Sequence, residues 1–229
     1  MKHLLSALAL VVVATTARAQ VGHLPQSSPY RDLEISQELT LFGGRYSAGQ
    51  DRINVAPHAG PMFGLRYERH VGGPAFLMVR WSHVNSDRFA IDPTKTGAAA
   101  QLGKKNVALN LYDINLALNL TGQKSYRHIV PILNFGAGVA SCSCTVDPDP
   151  YTFGTPFAFS FGGGLRYVPG GRLQLRLDFN DFLYQLKYPT QYYQIPTGGT
   201  APAVPANQSR SFWKNNRALT LGASVLFFR

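Results

Sequence analysis

Alternation of apolar and polar residues at period two constrains this chain more than any other feature. Phe157, Phe159, Phe161, Gly163, Leu165 and Tyr167 share one parity. Ala158, Ser160, Gly162, Gly164 and Arg166 share the other. In a strand the two sets point to opposite faces. The pattern recurs. Leu173, Leu175, Leu177 and Phe179 interleave with Gln174, Arg176, Asp178 and Asn180. Ile114 to Leu120, Phe63 to Glu68, Leu133 to Ala140 and Leu219 to Phe227 read the same way, and Leu33–Phe42 and Phe76–Val84 less cleanly. Eight strands are therefore expected, with almost no helical periodicity outside the N-terminal stretch.

The connections alternate between short and long. Val71-Gly72-Gly73 and Pro169-Gly170-Gly171-Arg172 are tight, with glycines that adopt the positive φ of hairpin turns. Thr121–His128 is somewhat longer. Ser47–Pro57, Asp92–Lys105, Ser141–Thr155 and Tyr188–Asn216 form the long set, the last rich in Pro, Gly, Tyr and Asn and expected to be mobile. Short turns at one end and long loops at the other suit an up-and-down barrel whose even strand count leaves both termini on the short-turn side.

The first 19 residues read as an export signal: Lys2 and His3, an apolar run from Leu4 to Val13, and Ala17-Arg18-Ala19 before Gln20. The run is too short to span a bilayer as a helix, for which about 20 residues are needed. No Cys follows the cleavage point, so no lipoprotein anchor is expected. Removing the signal takes away Lys2 and Arg18, leaving +8 of the chain's net +10. Export makes nucleic acid an implausible partner and anionic lipid phosphates a natural one. Mean hydropathy is −0.08, a value that would read as soluble but for the dilution that alternation imposes on membrane strands. The expected layout is a signal over 1–19, a periplasmic leader over 20–31 and an all-β, eight-stranded antiparallel transmembrane barrel over 32–229.

Alternation alone does not say which set faces out. A soluble barrel would turn its apolar set inward around a ligand. Three features favour lipid outside. The polar set holds Arg66, Arg80, Arg166 and Arg176 against Glu38, Glu68, Asp113 and Asp178, a balanced set suited to a closed bore where unpaired charge would be costly. Gly64, Gly136, Gly138, Gly162, Gly164 and Gly222 fall on the same set, giving long arginines room in a narrow interior. The third is the C-terminus, Thr220-Leu221-Gly222-Ala223-Ser224-Val225-Leu226-Phe227, followed by Phe228 and Arg229.

That last stretch resembles the terminal assembly signal of outer-membrane barrels, with Thr220, Gly222, Val225 and Phe227 on its pattern. Together with Ile132–Gly138 and Phe161–Tyr167, it makes residues 31–229 resemble the small outer-membrane barrels of the OmpA/OmpX type, without a peptidoglycan-binding domain. The resemblance implies outer-membrane location, a lipid and lipopolysaccharide environment, insertion by the barrel-assembly machinery and a monomer. It implies no single activity.

Few motifs carry chemistry. Cys142-Ser143-Cys144 allows an intraloop disulfide in an exported protein, free thiols, or a metal site lacking nearby His. Asp147-Pro148-Asp149-Pro150 lacks the spacing of a calcium loop and reads as a stiffened loop. Trp81-Ser82-His83 suggests a lipid A-modifying enzyme, but Ser82 and Ser86 point away from His83, and no Gly-x-Ser-x-Gly elbow is present. No catalytic, cofactor or metal residues are therefore assigned. Tyr67, Trp81, Tyr112, Tyr167, Tyr184 and Phe227 are candidates for interfacial girdles. The expected role is structural or surface-interacting. Lys95, Lys104, Lys105, Arg210, Lys214 and Arg217 would meet lipopolysaccharide, and Tyr192, Tyr193 and Phe212 would offer contact area to an adhesion partner. A narrow channel, a lipid A-modifying enzyme and a soluble periplasmic binding barrel are the alternatives.

Overall fold

A computed structural model describes residues 28–49, 51–205 and 207–227. The export segment over 1–19 and most of the expected leader lie outside them. The described chain forms ten strands: β1 (Tyr30–Asp32), β2 (Gln37–Ser47), β3 (Gly60–Gly72), β4 (Ala75–Ile91), β5 (Gln101–Asn119), β6 (Lys124–Tyr126), β7 (Ile129–Cys142), β8 (Phe157–Tyr167), β9 (Leu173–Lys187) and β10 (Ser211–Phe227). Eight of them close a ring in the order β2-β3-β4-β5-β7-β8-β9-β10, every neighbour antiparallel, with β10 returning to β2. The last strand pairs with the first from Arg217↔Ser47 to Phe227↔Gln37, so this stretch of wall has no open edge.

Alternation sets which side chains line the ring. Phe161, Leu165, Leu175, Leu177, Leu219 and Leu221 stand on the outer wall, and Leu221 is 60 % exposed. Their sequence neighbours, Arg166, Arg176, Asp178 and Thr220, are buried inside. An apolar exterior around a charged interior inverts the soluble barrel. It suits lipid, which leaves outward leucines unpenalised and forbids unpaired backbone.

The first barrel strand begins at Gln37, four residues later than the expected Leu33. Leu33 and Ile35 pack instead against Phe76, Met78, Val130, Ile132 and Leu226 beneath the bore. The residues before them pair as β1 with β6, Tyr30 opposite Tyr126, and extend the ribbon on the short-turn side. Apolar burial thus turns the incoming chain under the barrel. At the other end the strands outrun the sequence expectation. β4 has 17 residues and β5 has 19, against the 9–11 or so that a tilted strand needs to cross hydrocarbon. Lys104, Lys105 and Lys214, which fall within the expected loops, therefore lie on strand extensions, as does Arg217 beside them.

Candidate functional site

The structure places all eight charged residues singled out above inside the bore, each at most 5 % exposed. Six of them form one connected layer. The Arg66 Nη1 group donates to Asp178 Oδ2 at 2.8 Å, and its Nε lies 3.4 Å from Glu68 Oε1. Arg166 Nη2 donates to Glu68 Oε2 at 2.6 Å and lies 3.3 Å from Glu38. Arg176 bonds Glu68 through Nη1 and Asp178 through Nε, the latter at 2.8 Å. Three cations thus face three anions. A lone buried ion would cost several kcal/mol, and such a layer is tolerable because each charge has an opposite partner. Arg80 and Asp113 form a separate pair, Nε to Oδ2 at 3.1 Å. Asn115 donates to Asp113 and accepts from Ser160 Oγ.

Apolar clusters flank this layer on both sides. Below lie Phe76, Met78, Val130, Ile132 and Leu226. Above lie Phe42, Met62, Val84, Leu109, Leu111, Phe182 and Tyr184, continuous with Tyr151, Tyr188 and Tyr192 from the loops. Aromatic rings of both clusters touch the ions directly. The Arg166 guanidinium sits over the Phe76 ring at 5.3 Å, Arg66 over Phe42 at 5.8 Å and Arg80 over Phe182 at 4.9 Å. Aromatic faces attract cations that have lost water.

The glycines on this face have a different cause from the one expected. Gly136 opposes Asn115, Gly138 opposes Asp113, Gly162 opposes Asn180, Gly164 opposes Asp178 and Gly64 opposes Phe42. A Cβ on Gly164 would lie 2.5 Å from Asp178 Oδ1, and one on Gly64 would lie 2.5 Å from Phe42 Cζ. These glycines clear space for a short polar or aromatic residue on the next strand. Only Gly222, which pairs with both Phe42 and Arg176, opposes an arginine.

A second ionic centre, at the extracellular mouth, was not visible in sequence. Arg88 is fully buried and donates to Asp149 Oδ2 at 2.7 Å and to the Cys144 carbonyl at 2.8 Å. Its guanidinium covers Tyr151 at 4.9 Å. Asp149 also accepts from the Ile91 and Tyr151 amides and from the Tyr192 hydroxyl. The Asp-Pro-Asp-Pro segment therefore delivers an anchor into the mouth. Beside it, Asp51 accepts from the Ile53, Asn54 and Ala56 amides and from the Tyr188 hydroxyl at 2.6 Å. Burial, reinforced by Asp149, holds the Tyr192 phenol well above its ordinary pKa, and burial with Asp51 raises Tyr188 in the same way.

Several surface expectations fail at this mouth. Tyr192 is fully buried, so it offers no contact area to a partner, and Phe212 is partly buried against the same cluster. Lys214 is 2 % exposed and donates to the Pro57 carbonyl at 2.7 Å, which removes it from any lipid-facing set. Tyr184 points inward and shares a 2.8 Å hydroxyl bond with Tyr46, so it belongs to no girdle. Tyr184 and Lys214 are buried because they fall on the inward parity of β9 and β10, and Tyr192 because its loop folds back over the bore. Tyr67, Tyr112, Tyr167 and Phe227 do stand on the outer wall.

Cys142 and Cys144 are joined as a disulfide beside the mouth, with Cα atoms 5.2 Å apart. The His83 ring contacts Asn110 and Asn85 side chains at 2.9 and 3.1 Å, with no hydroxyl among its partners. Among the described residues, no group of three or more His, Cys, Asp or Glu is arranged to hold a metal.

An apolar outer wall, a charge-filled bore and eight antiparallel strands define a transmembrane β-barrel of the small outer-membrane kind. The comparisons agree at the level of fold. The chain is similar to the crystal structure of Neisserial surface protein A, at 9 % identity and a TM-score of 0.53, over 83 % of this chain and 97 % of that one. It is similar also to the outer-membrane protein OprG of Pseudomonas aeruginosa, at 8 % identity and a TM-score of 0.52, over 86 % of this chain and 99 % of that one. No family model matches the sequence, and no curated protein matches it.

Proposed function

We propose that this chain is a non-conducting, non-enzymatic barrel that anchors in the outer membrane as a monomer and presents its extracellular rim to lipopolysaccharide and surface partners. A signal over residues 1–19 is cleaved on export, and Thr220, Gly222, Val225 and Phe227 serve recognition by the barrel-assembly machinery. The observation that carries the non-conducting reading is the six-ion layer, whose members are at most 1 % exposed and lie between two apolar clusters. An ion crossing it would have to break buried pairs without water to replace them. His83 bonds Asn110 and Asn85, so the Ser-His route to a lipid A-modifying activity gains no support from its partners.

Planar-bilayer recording of the refolded protein tests the reading. Silence is expected. A steady unitary conductance that changes in Arg66→Ala or Glu68→Ala would establish a narrow channel in its place. Release of fatty acid from lipid A, lost in His83→Ala, would establish an enzyme.

A further inference from the structure

The outer wall over β2, β10 and β9 changes character towards the extracellular end. Leu221 and Leu219 of β10 stand outward, and the same parity then continues through Arg217, Asn215 and Trp213. On β2 the outward set runs Leu39, Leu41, Gly43, Arg45. Arg45 lies opposite Leu219 and Ser47 opposite Arg217, so the two arginines are diagonal neighbours on one face. Phe227 pairs with Gln37 at the opposite end of this stretch. The span from there to Arg217 is about the length that a tilted strand needs to cross hydrocarbon. Both guanidiniums therefore stand where outer-leaflet headgroups begin.

The charge at this level is unbalanced. The nearest acid on the face is Asp181, opposite Arg217 and 3.5 Å from its Nε. The Arg217 side chain is nonetheless 65 % exposed. Lys187, two turns of the pleat above Leu183 on β9, is exposed on the same side. Two cations at this level thus share one carboxylate, and Lys187 adds a third further up the same face. Directly above, Arg52, Asn207, Gln208, Phe212 and Trp213 line a crevice of about 560 Å³, together with Asp51, whose carboxylate is taken up by the Ile53, Asn54 and Ala56 amides and the Tyr188 hydroxyl. Trp213 is 55 % exposed. An exposed indole flanked by amide and guanidinium groups suits a sugar ring, which offers an apolar face and a rim of hydroxyls.

We propose that this face docks the phosphorylated glycolipid of the outer leaflet. Arg45 and Arg217 hold a phosphate, a sugar lies over Trp213 against Arg52, Asn207 and Gln208, and acyl chains run down Leu219, Leu221 and Leu41. Like charges on adjacent strands repel, and a bridging phosphate turns that repulsion into a two-point contact. The inference rests on the lipopolysaccharide reading above and gives it a location. It also departs from the sequence expectation, because Lys214 is inside the barrel and Lys104 and Lys105 lie on β5, on another part of the wall.

Trp81 and Trp213 are the only tryptophans in the chain, so Trp81→Phe leaves Trp213 as sole reporter. The folded variant in nonionic micelles is titrated with bis-phosphorylated lipid A and with dephosphorylated lipid A, and a heat-modifiable band confirms folding of every variant used. Phosphorylated lipid A is expected to shift Trp213 emission, and binding to weaken with salt. Affinity should fall about 30-fold in R45A/R217A and stay unchanged in K104A/K105A. Equal response to dephosphorylated lipid A, or unchanged affinity in R45A/R217A, overturns this site. Loss confined to K104A/K105A moves the contact to β5 and leaves the lipopolysaccharide reading standing. No binding at all removes both, while silence in bilayers would still support the anchor.

Discussion

Replacing Glu68 with Gln keeps shape and removes one charge from the six-ion layer. Glu68 faces all three arginines: Arg166 at 2.6 Å, Arg176 through a direct bond, and Arg66 at 3.4 Å. Without it, three guanidiniums share Glu38 and Asp178, and one positive charge is stranded between apolar clusters. Removing one partner of a buried ion pair costs about 3–5 kcal/mol. Replacing Arg176 with Gln strands a negative charge and should cost a similar amount. The double change behaves differently. It leaves Arg66 with Asp178 at 2.8 Å and Arg166 with Glu38 at 3.3 Å, a neutral layer of two pairs. E68Q/R176Q should therefore be more stable than either single variant, with a coupling of at least about 2 kcal/mol. Reversible urea unfolding in micelles, followed by tryptophan emission and by the shift of the unboiled band on a gel, measures all four corners of the cycle. Additive single and double effects would refute the claim that these ions neutralise one another in a dry layer. So would a single variant costing under about 1 kcal/mol.

Leu177→Lys, near the middle of the outward apolar run of β9, should cost about 2–4 kcal/mol in bilayer-reconstituted protein; a loss near zero would mean that water covers this wall. Gly138→Val should abolish or sharply lower the folded yield, since a Cβ there lies 1.9 Å from the Tyr112 carbonyl and 2.6 Å from Asp113 Cα; a normal yield on a heat-shift gel would show that the strands can part. Tyr192→Phe removes a hydroxyl bond to the Asp149 carboxylate and should loosen the mouth by about 1.5–3 kcal/mol, seen as faster proteolysis within 188–210 while the barrel core stays intact. Raised phenol pKa values at Tyr188 and Tyr192 mean that their contribution is fully present below the unfolded phenol value, about 10, and is lost as pH rises above it. Cleavage of the same segment should accelerate from pH 9 to pH 11, with a smaller increment in Tyr192→Phe; a flat profile would contradict the buried placement of these rings.

The wall was legible because period two reports it directly. Leu173 to Phe179 and Leu219 to Phe227 each state which residues share a face, and a balanced charge set on the other face states what the bore must hold. The ends were less legible, since their burial depends on what folds over them. Nothing local distinguishes Ile35 beneath the floor from a strand residue. Arg88 continues the inward parity of β4, yet its partner Asp149 is 61 positions away in a proline-rich loop. Tyr192 sits in a segment of loop composition and owes its burial to Asp149, Arg88 and Tyr188. A loop's composition describes its solvation when free, whereas its docking depends on distant residues.

The six central ions are divided unevenly along the chain. Glu38, Arg66 and Glu68 come from β2 and β3, and Arg166, Arg176 and Asp178 from β8 and β9. The early strands thus contribute one surplus negative charge and the late strands one surplus positive charge. Every contact between the groups spans at least 98 residues of sequence, with separations of 98, 108 and 112 for three of them. A half-built sheet carries a debt of charge that only its other half can cancel. Pairing of β10 with β2 completes the ring and brings the two surpluses into one layer, so the layer is neutral only in the closed barrel.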